Sequence, residues 1–284
     1  MKKYLFIAFL FISQMSHAIW YTSFEEAQKI ALTTNKLIIV DFTAKWCGPC
    51  LQMDLKSWND PQVENVLQNY VQLKIDVDQN RDFTINYQTK VLPDMIIMDA
   101  NGKVFHRFSG YQTPAKLKNE LLQFCLSTEY LSVELTNFYS SKKYNTAIRL
   151  AQKYYNYSLV ADKNIKGKII RVGSDYLRDA KEELKKNEDD YRDKKQKLEL
   201  LTLYELAYHF DFEKLHKKIS EIKPESIAKP NQYQYWFLKY LSTKDKLEEA
   251  KITETFLKEN DLENVIENGN QLYGFYEKSM IKHN

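Results

Sequence analysis

The chain has 284 residues, enough for one large domain or two ordinary ones, with 44% hydrophobic residues to build a core and 28% charged residues to cover it. The formal net charge is +3, of which Lys2 and Lys3 supply two, so the remainder sits near +1. That balance gives no reason to invoke nucleic acid or an anionic membrane as a partner.

Residues 1–18 read as a secretory signal peptide. Lys2-Lys3 is the charged start, Tyr4 to Ile12 the apolar run, and Ser16-His17-Ala18 a small-x-small cleavage site. The apolar run is about half of the roughly 20 residues a spanning helix needs, so an uncleaved anchor is the lesser alternative. No cysteine precedes Cys47, which leaves out the usual lipoprotein attachment point. The mature chain is expected outside the cytoplasm, periplasmic or secreted, where disulfides persist.

Ser23-x-x-Glu26 forms a capping-box pattern, and Ala27, Ile30 and Ala31 continue a helical apolar stripe. Leu37 to Thr43 is a short β-branched apolar run that predicts a central strand covered on both faces. Asp41 interrupts it. A carboxylate in such a strand is costly to ionise, which predicts a raised pKa.

Trp46-Cys47-Gly48-Pro49-Cys50 follows, at a predicted strand-to-helix junction. Two cysteines so spaced can make and break disulfides, and backbone N–H groups at a helix start favour a thiolate. Gly48 and Pro49 hold the turn, Pro49 needing no N–H partner in the first turn. Half a zinc site has the same spacing, but no second C-x-x-C and no His pair accompanies it, so no metal is expected. The helix is predicted to run to about Lys56. Asp60-Pro61 caps another, with Val63, Val66, Leu67 and Tyr70 facing inward.

Val71 to Val77 alternates as a second strand, a short helix falls around 80–88, and Asp94 to Met98 makes a third strand after Val91-Leu92-Pro93. Asn101-Gly102 predicts a hairpin turn and Lys103 to Phe108 its returning strand, which places His106 in a structural position. Pro114 opens a helix to about Ser127, on which Cys125 reads as a small buried hydrophobe. The expected fold is α/β: a mixed sheet flanked by helices, the first strands parallel and the last pair a hairpin.

Val40 to Cys50 resembles the active-site segment of the thioredoxin family. Leu92-Pro93 sits where that family keeps a cis proline, Gly110 matches its glycine after the hairpin, and Lys74 matches the lysine beside its buried aspartate. Ser57 to Val63 is similar to secreted thioredoxin-like domains allied to the C-terminal domain of DsbD-type reductases. The resemblance covers roughly residues 20–127. It implies a thioredoxin-like fold over 19–127 and a redox-active Cys47/Cys50 pair. Lys74 would tune Asp41, and an extended edge beside Leu92 and Pro93 would receive substrate. Asp94 departs from the family's common Thr and would place a negative charge beside that groove.

From about residue 128 to 284 an all-helical region is predicted, with one stretch, Ser141 to Tyr155, resembling a tetratricopeptide-type helix pair. Tyr144, Ala147, Ile148, Ala151, Tyr154 and Tyr155 form one stripe. Leu198, Leu201, Leu206 and Phe210 form a second, and Tyr233, Trp236, Phe237, Tyr240 and Leu241 a third. Pro224 and Pro230 bracket a break. Lys181 to Lys197, of mixed sign, is expected to be the solvated face of a long helix. Most of the aromatics belong to the core; a minority would line a groove for a peptide or protein partner.

The chemistry follows from the pair. Cys47, at the helix start, is the expected nucleophile; Cys50 resolves the mixed disulfide, and Asp41 accepts its proton. Trp46 is expected to be an apolar platform beside the sulfur. No phosphate loop and no cofactor is implied. Gly-Pro between the cysteines favours an exported reductase of protein or peptide disulfides, with a DsbD-type membrane thiol donor. Alternatives are a disulfide oxidase or isomerase, or a binding or chaperone module in which the helical region engages a partner.

Overall fold

The computed structural model describes residues 19–281. The expected leader, 1–18, lies outside the described residues.

The first half is a five-stranded sheet in the order β1-β3-β2-β4-β5. Strands β1 (Trp20–Tyr21), β3 (Tyr70–Asp76) and β2 (Leu37–Thr43) run parallel; β4 (Asp94–Met98) and β5 (Val104–Ser109) continue antiparallel. Helix α1 (Phe24–Thr34) covers one face, with the short α4 (Arg81–Asn86) packing Phe83 beside Phe24; α3 (Pro61–Leu67) and α5 (Pro114–Leu122) cover the other. Both central strands are walled on each side, so β2 is apolar along nearly its whole length rather than alternating. Its period of two still sorts the side chains. Ile38, Val40 and Phe42 pack with Ala27 and Ala31 of α1, whereas Leu37 and Ile39 pack towards Trp58 and Val63. Asp41 shares the second face, which turns its carboxylate under the helices that follow the cysteines.

Boundaries differ from the sequence reading in two places in this half. The helix after Cys47 is a short α2 (Gly48–Gln52) that widens into a π-helical turn over Met53–Trp58, instead of ending at Lys56. Helix α5 stops at Leu122, and the inward position near its end is taken by Phe124, which is fully buried. Cys125 therefore lies past the helix, half-buried, its thiol directed to the Leu121 carbonyl at 3.6 Å. Burial pushes that thiol's pKa up.

The rest is helical: α6 (Ser132–Ser140), α7 (Tyr144–Ser158), α8 (Lys163–Glu182), α9 (Tyr191–Thr202), α10 (Tyr204–Tyr208), α11 (Phe212–Ser220), α12 (Gln232–Thr243), α13 (Leu247–Glu259) and α14 (Glu263–Ile281). All six residues of the Tyr144 to Tyr155 stripe are buried. The charge run is not one long helix. It is broken over residues 183–190, where Lys194 ties Glu188 (2.6 Å) and Asp190 (3.0 Å) and so stabilises the turn into α9.

One buried carboxylate joins the two regions. Asp99, at the tip of the β4–β5 hairpin, accepts from the backbone N–H groups of Asn101 (2.9 Å) and Lys103 (3.0 Å) through Oδ1. Its Oδ2 accepts from the hydroxyls of Tyr154 on α7 (2.7 Å) and Tyr176 on α8 (2.6 Å). Gly102 completes the turn at φ +86°, a left-handed value that glycine adopts without strain. Lys103 pairs with Asp179 at 2.6 Å, and Arg171 donates to the Phe105 carbonyl at 2.9 Å. A single apolar cluster runs from Ile39 and Ile97 of the sheet to Tyr240 and Leu272 of the helices.

Candidate active site

Cys47 caps α2, immediately beyond the C-terminal end of β2. The backbone leaves an extended conformation at Cys47, and the N–H of Cys50 donates back to Cys47 Sγ at 3.2 Å. The two sulfurs are joined as a disulfide, with Cα atoms 5.3 Å apart. Both are buried, Cys47 at 5% and Cys50 at 2% exposure, while Gly48 and Pro49 between them are exposed. Ala44, Val77 and Leu92 pack against the sulfurs. An apolar rim stands around them: Trp46 is 69% exposed, and Leu51, Leu55 and Val91 are also in solvent. Trp46 is held in place, its Nε1 donating to Asp78 at 2.8 Å.

The Leu92–Pro93 peptide is cis, as the resemblance implies. The Pro93 carbonyl is occupied by the N–H of Gly110 at 2.7 Å, and Gly110 reaches it with φ +79°. The unclaimed edge is one step earlier. Among the described residues the backbone groups of Val91 and Leu92 make no hydrogen bond. Asp94 does not present a bare charge to this groove. Its carboxylate is turned inward, 2% exposed, accepting from Ser109 at 2.7 Å and facing Arg107 at 3.5 Å. The strand's alternation decides this: the residue after the proline starts β4 and points into the sheet.

Around the π-helical turn that continues the Cys50 helix lies an acidic network that the sequence reading captured only in part. Asp41 is 1% exposed, and burial pushes its carboxyl up to about 6. Lys74 opposes that rise from 3.6 Å, while the Asp54 carboxylate adds to it. Lys74's hydrogen-bonded partner is not Asp41 but Asp54, on the π-helical turn. The ammonium also lies 5.0 Å from the ring of Trp20, which stacks edge-on against Trp58. Asp41 Oδ1 and Trp58 Nε1 are both buried without a hydrogen-bond partner; the indole lies near enough to act on the carboxylate but outside bonding geometry. An unpartnered buried carboxylate oxygen is costly, and active sites are where such a cost is retained.

Asp54 could have been found from sequence only by knowing that the turn widens, since four residues beyond Cys50 has no special meaning in an ordinary helix. Trp20 was missed because a two-residue strand leaves no periodicity to read. His106 bridges Glu120 (2.9 Å) and Lys168 (3.0 Å) on β5, far from the cysteines in the sheet order. Among the described residues no three His, Cys, Asp or Glu side chains are grouped to hold a metal.

The network makes a directional prediction. Asp54→Asn removes the charge that raises Asp41 and frees the Lys74 ammonium to approach it. The Asp41 carboxyl is therefore expected to titrate below about 6. A carboxyl-carbon NMR titration reads this directly; an unchanged or higher midpoint would show that Asp54 does not act on Asp41.

Residues 24–124 match the family model described as a thioredoxin-like domain. The thiol:disulfide interchange protein DsbD of Campylobacter jejuni is 32% identical over 110 residues, which cover 35% of this chain and 19% of that protein. This chain thus spans about a fifth of that relative's length. A thioredoxin of Mycoplasmoides gallisepticum is 35% identical over 95 residues, 32% of this chain and 87% of that protein. Among solved structures, a Fasciola hepatica thioredoxin is 31% identical, covers 34% of this chain and 89% of its own, and superposes with a TM-score of 0.28. The cysteine pair at the start of α2, the cis proline facing it and nearly a whole thioredoxin's length of matched sequence lead to one assignment: this chain belongs to the thioredoxin family of thiol–disulfide oxidoreductases.

Proposed function

We propose that the protein is an exported dithiol reductase that reduces disulfides in protein or peptide substrates through Cys47 and Cys50. The observation that carries this reading is the Cys47–Cys50 disulfide at the helix start, together with a buried Asp41 whose carboxyl is pushed up to about 6. In the reduced state the Cys47 thiolate, stabilised by the helix-start N–H groups, attacks one sulfur of a substrate disulfide. The substrate S–S bond breaks, its other sulfur leaves as a thiolate and takes up a proton, and the attacked sulfur remains bonded to Cys47 as a mixed disulfide. Cys50 then gives its proton to Asp41 and attacks Cys47 Sγ. The second substrate thiol is released, and the chain ends as the disulfide seen here. Two electrons pass to the substrate per cycle.

Trp46, Leu51, Leu55 and Val91 give the substrate segment an apolar rim, and the free backbone of Val91 and Leu92 offers it strand-type hydrogen bonds. Lys74, Gly48 and Pro49 support the site, and Pro93 closes the side facing the sulfurs. The dithiol unit is assigned to 19–127 and the added helical unit to 128–284. Export follows from the leader pattern in 1–18. No described helix is long and apolar enough to cross a membrane. Re-reduction then needs a thiol donor on the far side of the membrane, for which a conduit of the DsbD type is the fitting class.

Equilibration with glutathione couples tests the direction. A potential near the thioredoxin value of about −270 mV supports the reductase, and one near the about −120 mV of a strong oxidant overturns it in favour of an oxidase.

A further inference from the structure

The loop over residues 88–93 leaves the end of α4 at Tyr87 and enters β4 at Asp94. Each end is secured locally. The N–H groups of Gln88 and Thr89 donate to the Ile85 (2.9 Å) and Thr84 (3.1 Å) carbonyls, and the Pro93 carbonyl receives Gly110. Between them, Val91 and Leu92 keep their unclaimed backbone, with Val91 58% exposed. None of those bonds crosses from one end of the loop to the other.

Arg107 makes that crossing. On β5 it lies opposite Ile96, two residues from Ser109, which lies opposite Asp94. Asp94, Ile96, Arg107 and Ser109 therefore share one face of the hairpin, where Ile96 clusters with Phe83 and Tyr87. From there the guanidinium donates to the Tyr87 carbonyl and sets its Nε 3.5 Å from the Asp94 carboxylate. Among the described residues it is the one side chain hydrogen-bonded or ion-paired to both residues that flank the loop. The Tyr87 hydroxyl goes elsewhere, to the Gly102 carbonyl at 3.0 Å.

Stability alone does not call for this pair. Asp94 is 2% exposed, and Ser109 already donates to it at 2.7 Å. An uncharged acceptor at position 94 would keep that bond, and exchanging a buried ion pair for neutral groups is often neutral or stabilising. A guanidinium adds something else: a rigid fork of donors that serves two acceptors at once.

We propose that Arg107, oriented by Asp94, is a positioning residue for protein and peptide substrates. It holds the two ends of the loop in fixed relation and so presents the Val91–Leu92 backbone in one position. A backbone held in advance need not be ordered when substrate arrives, which lowers the cost of strand-type pairing. This role rests on the reductase reading of the site and would matter only for substrates that have a backbone to pair.

Steady-state reduction of a disulfide-bonded peptide, compared with reduction of hydroxyethyl disulfide, tests it. For Arg107→Gln, kcat/KM on the peptide is expected to fall about tenfold more than on hydroxyethyl disulfide, through KM rather than kcat. The Cys47–Cys50 potential should not move. Asp94→Asn, which leaves Arg107 only the Tyr87 carbonyl, should raise KM for the peptide by a smaller factor. Equal losses on the two substrates, or a shifted potential, would mark Arg107 as merely structural and overturn the proposal. A parent that reduces neither substrate overturns the reductase reading and this role with it, whereas a variant that loses nothing on the peptide overturns this role alone. Should Arg107→Gln fail to fold, because Asp94 is left buried without its counter-charge, the double variant Asp94→Asn/Arg107→Gln decides.

Discussion

A Cys50→Ser variant incubated with a disulfide-bearing protein is expected to accumulate a covalent adduct through Cys47, visible on a non-reducing gel and dissolved by dithiothreitol. Turnover should fall to the rate of the added thiols alone. The same result requires that Cys47→Ser form no adduct. The physical reason is the separation of tasks across one helical turn. Cys47 receives the Cys50 N–H and occupies the helix start, so its thiolate is favoured. Cys50 is held with its Cα 5.3 Å from that of Cys47, and its attack is intramolecular. Effective molarities for well-oriented groups reach about 10⁵ M or more, so resolution normally outruns any thiol in solution. A serine hydroxyl cannot displace the mixed disulfide, and the intermediate is left standing. Cys125, half-buried with a raised pKa, does not compete for it. An adduct that maps to Cys125, or none at all, would remove the basis of the assignment.

The second large effect concerns Asp41. Its ordinary pKa is 3.8 and its folded value is about 6, so the folded protein holds this proton more tightly than the unfolded chain. Stability contributed by the protonated carboxyl is complete below about pH 4. It is lost as pH rises through about 6, because the unfolded chain has by then released the proton freely. At about 1.36 kcal/mol per unit, the loss amounts to about 3 kcal/mol at pH 8. Asp41→Asn is therefore expected to be more stable than the parent by up to about 3 kcal/mol at pH 8 and little changed at pH 4. Urea unfolding at the two pH values checks this. The cost appears in the chemistry: decay of the mixed disulfide should slow, and lose the rise with pH that is expected of the parent through about pH 6. A variant that gains no stability, or resolves its intermediate at the parent rate, would leave Asp41 with only a packing role.

The parts of the molecule that the sequence shows are those written in local pattern. The apolar run before Cys47, the proline and glycine positions, and the helical stripe from Tyr144 to Tyr155 each follow from period or turn chemistry, and each stands where the pattern places it. What is hidden depends on a register or a long-range partner. Lys74 and Asp54 are twenty residues apart and meet only because the helix after Cys50 widens into a π turn. Asp94 reads as a groove charge until the strand's phase turns it towards Arg107 and Ser109. The charge run after Lys181 has helical composition throughout, and the break before Tyr191 is set by the local pairing of Lys194. Asp99 and its two tyrosines, more than fifty residues away, leave no trace in any window of sequence.

That last contact has a mechanical consequence. One carboxylate fastens both α7 and α8 to the β4–β5 turn, so the helices and the sheet share a single clasp. Taking that one side chain away would strand two buried tyrosine hydroxyls and loosen two helices from the hairpin at once.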